Sequence, residues 1–224
     1  MSGRYAGLDV LFDDVALLVL NKPAGLLTVP GRGSDKQDCL SARVQAVWSD
    51  ALVVHRLDMA TSGLVVMARG LAAQRSLSQA FEQRKVFKRY IAIASGQRLN
   101  PLADNAWNLI DLPLLLDWPN RPRSAVNFEN GKPSQTRWRL SPIGQHPKRH
   151  TGIATRLELD PITGRSHQLR VHLQAIGHPI VGDPLYAPLD VLAQADRLLL
   201  HAQTIDIPHP TTGERLRFES PCPF

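Results

Sequence analysis

The chain has 224 residues, 43% hydrophobic and 21% charged, a balance ordinary for a soluble globular protein. Its longest wholly apolar stretch, residues 15–20, is far short of the about 20 residues of a membrane helix, so no membrane association by a spanning helix is expected. Lys and Arg number 26 against 20 Asp and Glu, and the excess is uneven: residues 51–150 hold 15 bases and 6 acids, whereas residues 1–50 hold 5 and 6, and 151–224 hold 6 and 8. A concentrated basic region suggests a polyanionic partner, most simply nucleic acid. A solvated basic surface is the plainer alternative, and charge alone leaves the two even. Cys39 and Cys222 are too sparse for a disulfide framework or a cysteine metal site. The N-terminus lacks the apolar core of a signal peptide, and no Asn-x-Ser/Thr acceptor occurs. A reducing cytoplasm is the expected compartment.

In chain order, residues 15–21 (VALLVLN) read as a buried strand, ended by the turn signal Lys22-Pro23-Ala24-Gly25. Residues 29–34 read as a loop and 39–48 as a helix started by Asp38. Residues 52–56 (LVVHR) and 64–68 (LVVMA) are β-branched strands flanking a polar loop. A helix is expected over 71–83, with Leu71, Leu77, Ala80 and Phe81 near the helical period. Residues 89–94 (RYIAIA) alternate as a strand. Residues 99–132, rich in Pro, Asn and Asp, read as loop with short strands; the apolar segment 112–116 and Trp118 argue against an interdomain linker. Strands are expected at 136–140, 153–159 and 198–207, an exposed basic loop at 141–151, and a helix at 166–176 closed by Gly177. Helices and strands mix without regular βαβ alternation, which makes the class α+β. Gly31-x-Gly33 lacks the rest of a dinucleotide fingerprint, and no phosphate-loop lysine motif exists.

Three clusters carry candidate chemistry. His55-Arg56-Leu57-Asp58-Met59-Ala60-Thr61-Ser62-Gly63 is a charged loop between apolar strands, where a scaffold can fix catalytic groups. Asp58 is a candidate nucleophile or base; the plainer reading is a loop aspartate bonded to its own backbone. Gly164-Arg165-Ser166-His167-Gln168-Leu169-Arg170-Val171-His172 places Arg165 at a helix start, where the dipole disfavours a cation unless an anion faces it. Arg84, Lys85, Lys88 and Arg89 precede Tyr90, so that bases could follow a phosphate backbone while the tyrosine stacks on a base. Further bases lie at Arg121, Arg123, Arg137, Arg139, Lys148 and Arg149. His167 and His172, five apart, do not share a helix face and make a poor metal pair.

These motifs together resemble the RluA family of RNA pseudouridine synthases. HRLDMATSG at 55–63 is similar to its signature. Asn21-Lys22-Pro23-Ala24-Gly25, Lys88-Arg89-Tyr90, Asp117-Trp118-Pro119-Asn120-Arg121-Pro122, the 164–172 segment, Gly177-His178-Pro179-Ile180-Val181-Gly182-Asp183 with Tyr186, and Leu200-His201-Ala202 resemble its other motifs, in the family's order. The resemblance implies a pseudouridine synthase catalytic fold, with a mixed, mostly antiparallel central sheet and flanking helices and loops. It implies a single catalytic domain over 1–224 without the N-terminal S4 domain of longer members.

The implied activity is isomerisation of uridine to pseudouridine in 23S rRNA and in a tRNA anticodon stem-loop, on a flipped-out nucleotide. Asp58 matches the aspartate that starts cleavage of the glycosidic bond, whether by adding to C1′ or by removing a 2′ proton. Tyr90 matches the tyrosine that stacks on the target base, Arg165 the arginine that pairs with the carboxylate, and Leu169 an aliphatic lining of the base pocket. Arg56 matches the arginine that enters the gap left by the flipped nucleotide; His55, Thr61 and Gly63 look like support for the loop. The resemblance implies no metal, no organic cofactor and RNA as partner, and no coiled-coil pattern is present, so a monomer is expected. A non-catalytic RNA-binding factor and a metal-dependent nuclease are the rival readings, the second weakened by the lack of a carboxylate cluster.

Overall fold

The computed structural model describes residues 3–5, 7–96, 106–141 and 154–224. Of the basic loop expected at 141–151, all but Ser141 lies outside the described residues, Lys148 and Arg149 included. The chain runs β1 (Gly3–Tyr5), β2 (Leu8–Asp13), β3 (Leu17–Lys22), a 3-10 turn at Ser34–Lys36, α1 (Leu40–Gln45), β4 (Ala51–Val53), β5 (Ser62–Arg69) and α2 (Gly70–Glu82). It continues through β6 (Phe87–Ser95), β7 (Asn108–Asp111), β8 (Leu114–Leu116), β9 (Ser124–Val126), β10 (Gln135–Leu140) and β11 (Ala154–Pro161). The last elements are α3 (Gln168–Ala175), α4 (Leu189–Leu192), β12 (Leu200–Pro208) and β13 (Arg215–Glu219). No helix among the described residues is long and apolar enough to cross a membrane.

The chain forms two compact units, Met1–Lys88 with Ala202–Cys222, and Arg89–His201 with Pro223–Phe224. In the first, the strand order is β1-β2-β3-β5-β12, with β4 also on β5 and β13 on β12. β3 is flanked by antiparallel β2 and β5 and covered on its faces, so its apolar residues run on without alternation. α2 turns Ala73, Leu77 and Ala80 inward, at helical spacing, onto Leu17, Val19, Leu64, Val66 and Ile205. Asp14 ties the end of β2 to the far end of the unit. Its Oδ1 accepts the Ala16 and Leu17 N–H groups and its Oδ2 meets His209 Nε2 at 2.8 Å. Burial alone would raise its pKa, but these hydrogen bonds and the His209 charge outweigh it and hold the carboxyl below its ordinary value.

In the second unit, antiparallel β6-β11-β10-β7 form the sheet, with Leu159 opposite Tyr90 and Trp138 opposite both Leu159 and Asn108. β8 and β9 make a separate hairpin. Its inner residues Leu114 and Val126 pack with Val171, Leu185 and Tyr186.

Two expectations at helix starts are corrected. Cys39, not Asp38, caps α1: its Sγ accepts the Ala42 N–H, while Asp38 is drawn to Arg43 by contacts of 2.7 and 2.6 Å. α3 begins at Gln168, after His167 in the left-handed conformation (φ 56°), so Arg165 lies in the turn before the helix rather than at its start. The reason is Gln168, whose side-chain oxygen accepts the Arg165 N–H at 3.0 Å and holds that backbone out of the helix. The dipole argument for Arg165 therefore does not apply.

Candidate active site

The signature loop joins β4 to β5. β4 ends at Val53, earlier than its sequence suggests. His55 explains why: its Nε2 accepts the Val66 N–H at 2.8 Å, using an amide of β5 that a longer β4 would have paired. This bond fixes the neutral tautomer with its proton on Nδ1. The ring stacks on Phe81, centroids 4.8 Å apart. Burial pushes the imidazole pKa down to about 3, and the Lys88 charge pushes the same way. His55 is therefore a neutral structural acceptor.

The next residues are held one by one. Arg56 is exposed and Leu57 is buried. The Thr28 hydroxyl donates to Leu57 O at 2.8 Å and accepts the Leu57 N–H at 3.2 Å, so one buried side chain satisfies both backbone groups of the residue before Asp58. The residue after Asp58 is held as firmly. Met59 O accepts from Lys22 Nζ at 3.1 Å and from the Gly25 N–H at 2.8 Å. Lys22 is fully buried, and its ammonium also donates to Pro23 O and Leu26 O, so three N–H groups meet three carbonyls. Asp58 itself is half-buried, and its carbonyl accepts the Thr61 N–H at 3.1 Å. The carboxylate thus extends from a turn whose two flanking backbones are clamped.

Thr61 is buried at the end of that turn. Gly63 has φ 113°, and a Cβ there would lie 2.3 Å from Ala202 O and 2.6 Å from Ala202 N. Both the conformation and the approach of β12 demand glycine. His55, Arg56, Asp58, Thr61 and Gly63 therefore form one continuous substructure of the first unit.

Tyr90, Arg165 and Leu169 belong to the second unit. Tyr90 is half-buried in β6, and Leu169 is buried on α3. Arg165 is exposed, its Nε directed to Pro133 O at 3.4 Å. Its turn is built around Gln168, a residue that carried no role in the sequence reading. Gln168 Oε1 accepts from Thr163 Oγ1 as well as from the Arg165 N–H, and its Nε2 donates to Gln135 O and Thr136 Oγ1. On the same helix, His172 is buried between Thr136 Oγ1 and Leu112 O, and burial holds its pKa below the ordinary value. Arg170 is paired through two contacts of 2.7 and 2.6 Å with fully buried Asp183, whose Oδ1 also accepts the Leu185 and Tyr186 N–H groups.

Thr28, Lys22 and Gln168 are the positions that residue-by-residue reading missed.

A family model described as RNA pseudouridylate synthase matches residues 16–175. The dual-specificity RNA pseudouridine synthase RluA of Escherichia coli O6:H1 is 46% identical over 217 residues, covering 97% of this chain and 94% of that protein. The protein of the same name from Yersinia pestis is 47% identical over 215 residues, 96% of this chain and 99% of that one. Among solved structures, human RNA Pseudouridylate Synthase Domain Containing 1 aligns with a TM-score of 0.79 and 27% identity, over 100% of this chain and 87% of that one. On these matches the chain belongs to the RNA pseudouridylate synthase family, has the α+β fold of its members, and is an RNA-modifying isomerase.

Proposed function

We propose that the chain converts uridine to pseudouridine in 23S rRNA and in a tRNA anticodon stem-loop, with Asp58 starting the reaction. The observation that carries this reading is the clamped loop: Leu57 and Met59 are fixed by Thr28, Lys22 and Gly25, and the residue between them is a carboxylate. The dual-specificity name of the bacterial relatives supports action on more than one RNA.

In this reading the target nucleotide leaves its stack, which costs least in a loop. Exposed Arg56 takes the vacated space and contacts phosphate. Asp58 starts cleavage of the bond between C1′ and N1. The uracil turns, held against Tyr90 and Leu169, and C5 bonds to C1′. The C5 proton leaves to solvent while N1 gains one, so the product is an isomer of the substrate. Arg165 is the cation that pairs with the Asp58 carboxylate in this reading. His55, Thr61 and Gly63 hold the loop rather than touch RNA. The two units serve one catalytic domain, acting as a monomer in the cytoplasm without metal or organic cofactor.

The test uses transcripts of both RNAs tritiated at uridine C5. Wild-type protein should release tritium from each. Asp58→Asn should bind both RNAs with little change and release none. Release by Asp58→Asn refutes the role of Asp58, and no release from either RNA by the wild type refutes the substrate assignment.

A further inference from the structure

The β8–β9 hairpin carries a feature that the isomerisation does not use. Its turn is rigid through its own hydrogen bonds: Asp117 N–H to Arg123 O at 2.9 Å, Asn120 N–H to Asp117 O at 3.1 Å, and Asn120 Nδ2 to Asp117 Oδ2 at 2.9 Å. From this turn Trp118 projects with 60% of its surface exposed. The Arg121 guanidinium lies over the indole, Cζ 3.8 Å from the ring centroid, and Arg121 Nε donates to Trp118 O at 3.1 Å. The side chain is thus anchored to Trp118 both through Nε and through its stacking on the indole.

Among the described residues neither Arg121 nor Arg123 has a carboxylate partner, whereas Arg43, Arg69, Arg137, Arg139 and Arg170 each have one. Asp117, the acid of this turn, is occupied by Asn120. The hairpin is also joined to the turn of Arg165. Tyr186 OH accepts the Ser124 N–H at 2.8 Å and meets His167 Nδ1 at 2.8 Å, two residues beyond Arg165, and the Arg123 guanidinium lies 5.3 Å from the Tyr186 ring.

An exposed indole backed by a guanidinium offers a flat apolar face beside fixed positive charge. RNA answers both groups at once, since every base has a stacking face and every linkage a phosphate. An apolar protein surface would cover the indole but desolvate the arginines without pairing them. We propose that the tip of the β8–β9 hairpin is an RNA-docking surface, with Trp118 stacking on an unpaired base and Arg121 and Arg123 holding adjacent phosphates. The inference rests on RNA being the substrate and adds a contact carried by the second unit.

The experiment titrates a fluorescein-labelled anticodon stem-loop transcript into Asp58→Asn protein, so that binding is read without turnover. Adding Trp118→Ala should weaken binding about 5- to 100-fold, and Trp118→Phe should recover most of the loss. Arg121→Ala should flatten the dependence of log affinity on log salt by about 0.7–0.9. Thermal unfolding of each variant should match the parent, because Trp118 and Arg121 are both exposed at the surface of the turn. Binding by Trp118→Ala within twofold of the parent overturns the proposal and leaves the tip to a protein partner. Failure of the parent itself to bind the transcript overturns the RNA reading on which it rests.

Discussion

The buried imidazole of His55 makes stability depend on pH in a defined window. The folded protein holds His55 neutral down to about pH 3, while in the unfolded chain it titrates near its ordinary 6.5. Above 6.5 neither state takes the proton and the full stability is present. As the pH falls from 6.5 toward 3, the unfolded state binds a proton that the native state refuses, and stability is lost at up to about 1.4 kcal/mol per pH unit. Between about pH 7.5 and about pH 5 the loss from this group reaches at most about 2 kcal/mol, and about 1–2 once partial exposure of the residue is allowed for. His55→Asn removes the titration but keeps an oxygen able to accept the Val66 N–H. Urea unfolding of both proteins at the two pH values isolates the effect from every other titrating group. Wild type should lose about 1–2 kcal/mol more than the variant on acidification. Parallel pH dependences, within a few tenths of a kcal/mol, would show that the imidazole is not held neutral and would remove its assignment as a fixed acceptor.

Two further predictions concern the supports of the site. Thr28→Val removes both hydrogen bonds to Leu57 at constant shape; kcat for tritium release should fall about 10- to 100-fold with KM nearly unchanged, and Thr28→Ser should restore it. An unchanged kcat for Thr28→Val refutes the idea that this hydroxyl positions Asp58. Asp183→Asn leaves the buried Arg170 guanidinium without its counter-charge and should cost about 3–5 kcal/mol in urea unfolding, with a loss below about 1 kcal/mol refuting the assignment of the pair as mutually dependent.

Much of the fold was legible because its strands are apolar over most of their length. β3, β5 and β6 lie within a few residues of the stretches read from the sequence. β13 was missed although RLRFE alternates polar and apolar residues, the period of a strand with one face half-buried, and β12 pairs with it. The short β4 and the delayed start of α3 were not legible for a common reason: in each case a side chain, His55 or Gln168, takes a backbone group whose partner is fixed only by tertiary placement. For the site, the ordered motifs pointed to Asp58, and the structure adds why the loop around it is rigid. The supports escaped notice because Thr28 and Lys22 are 29 and 37 residues from their partners in the loop, a distance that no periodicity spans.

The backbone of Ala202 against Gly63 ties the signature loop to a segment made late in synthesis. The first unit is discontinuous, assembled from the first 88 residues and a return of the chain at 202–222. A nascent polypeptide that has emerged only as far as the second unit still lacks the strand on which β5 and its glycine lean. The first unit is therefore complete only once the residues at 202–222 have been made.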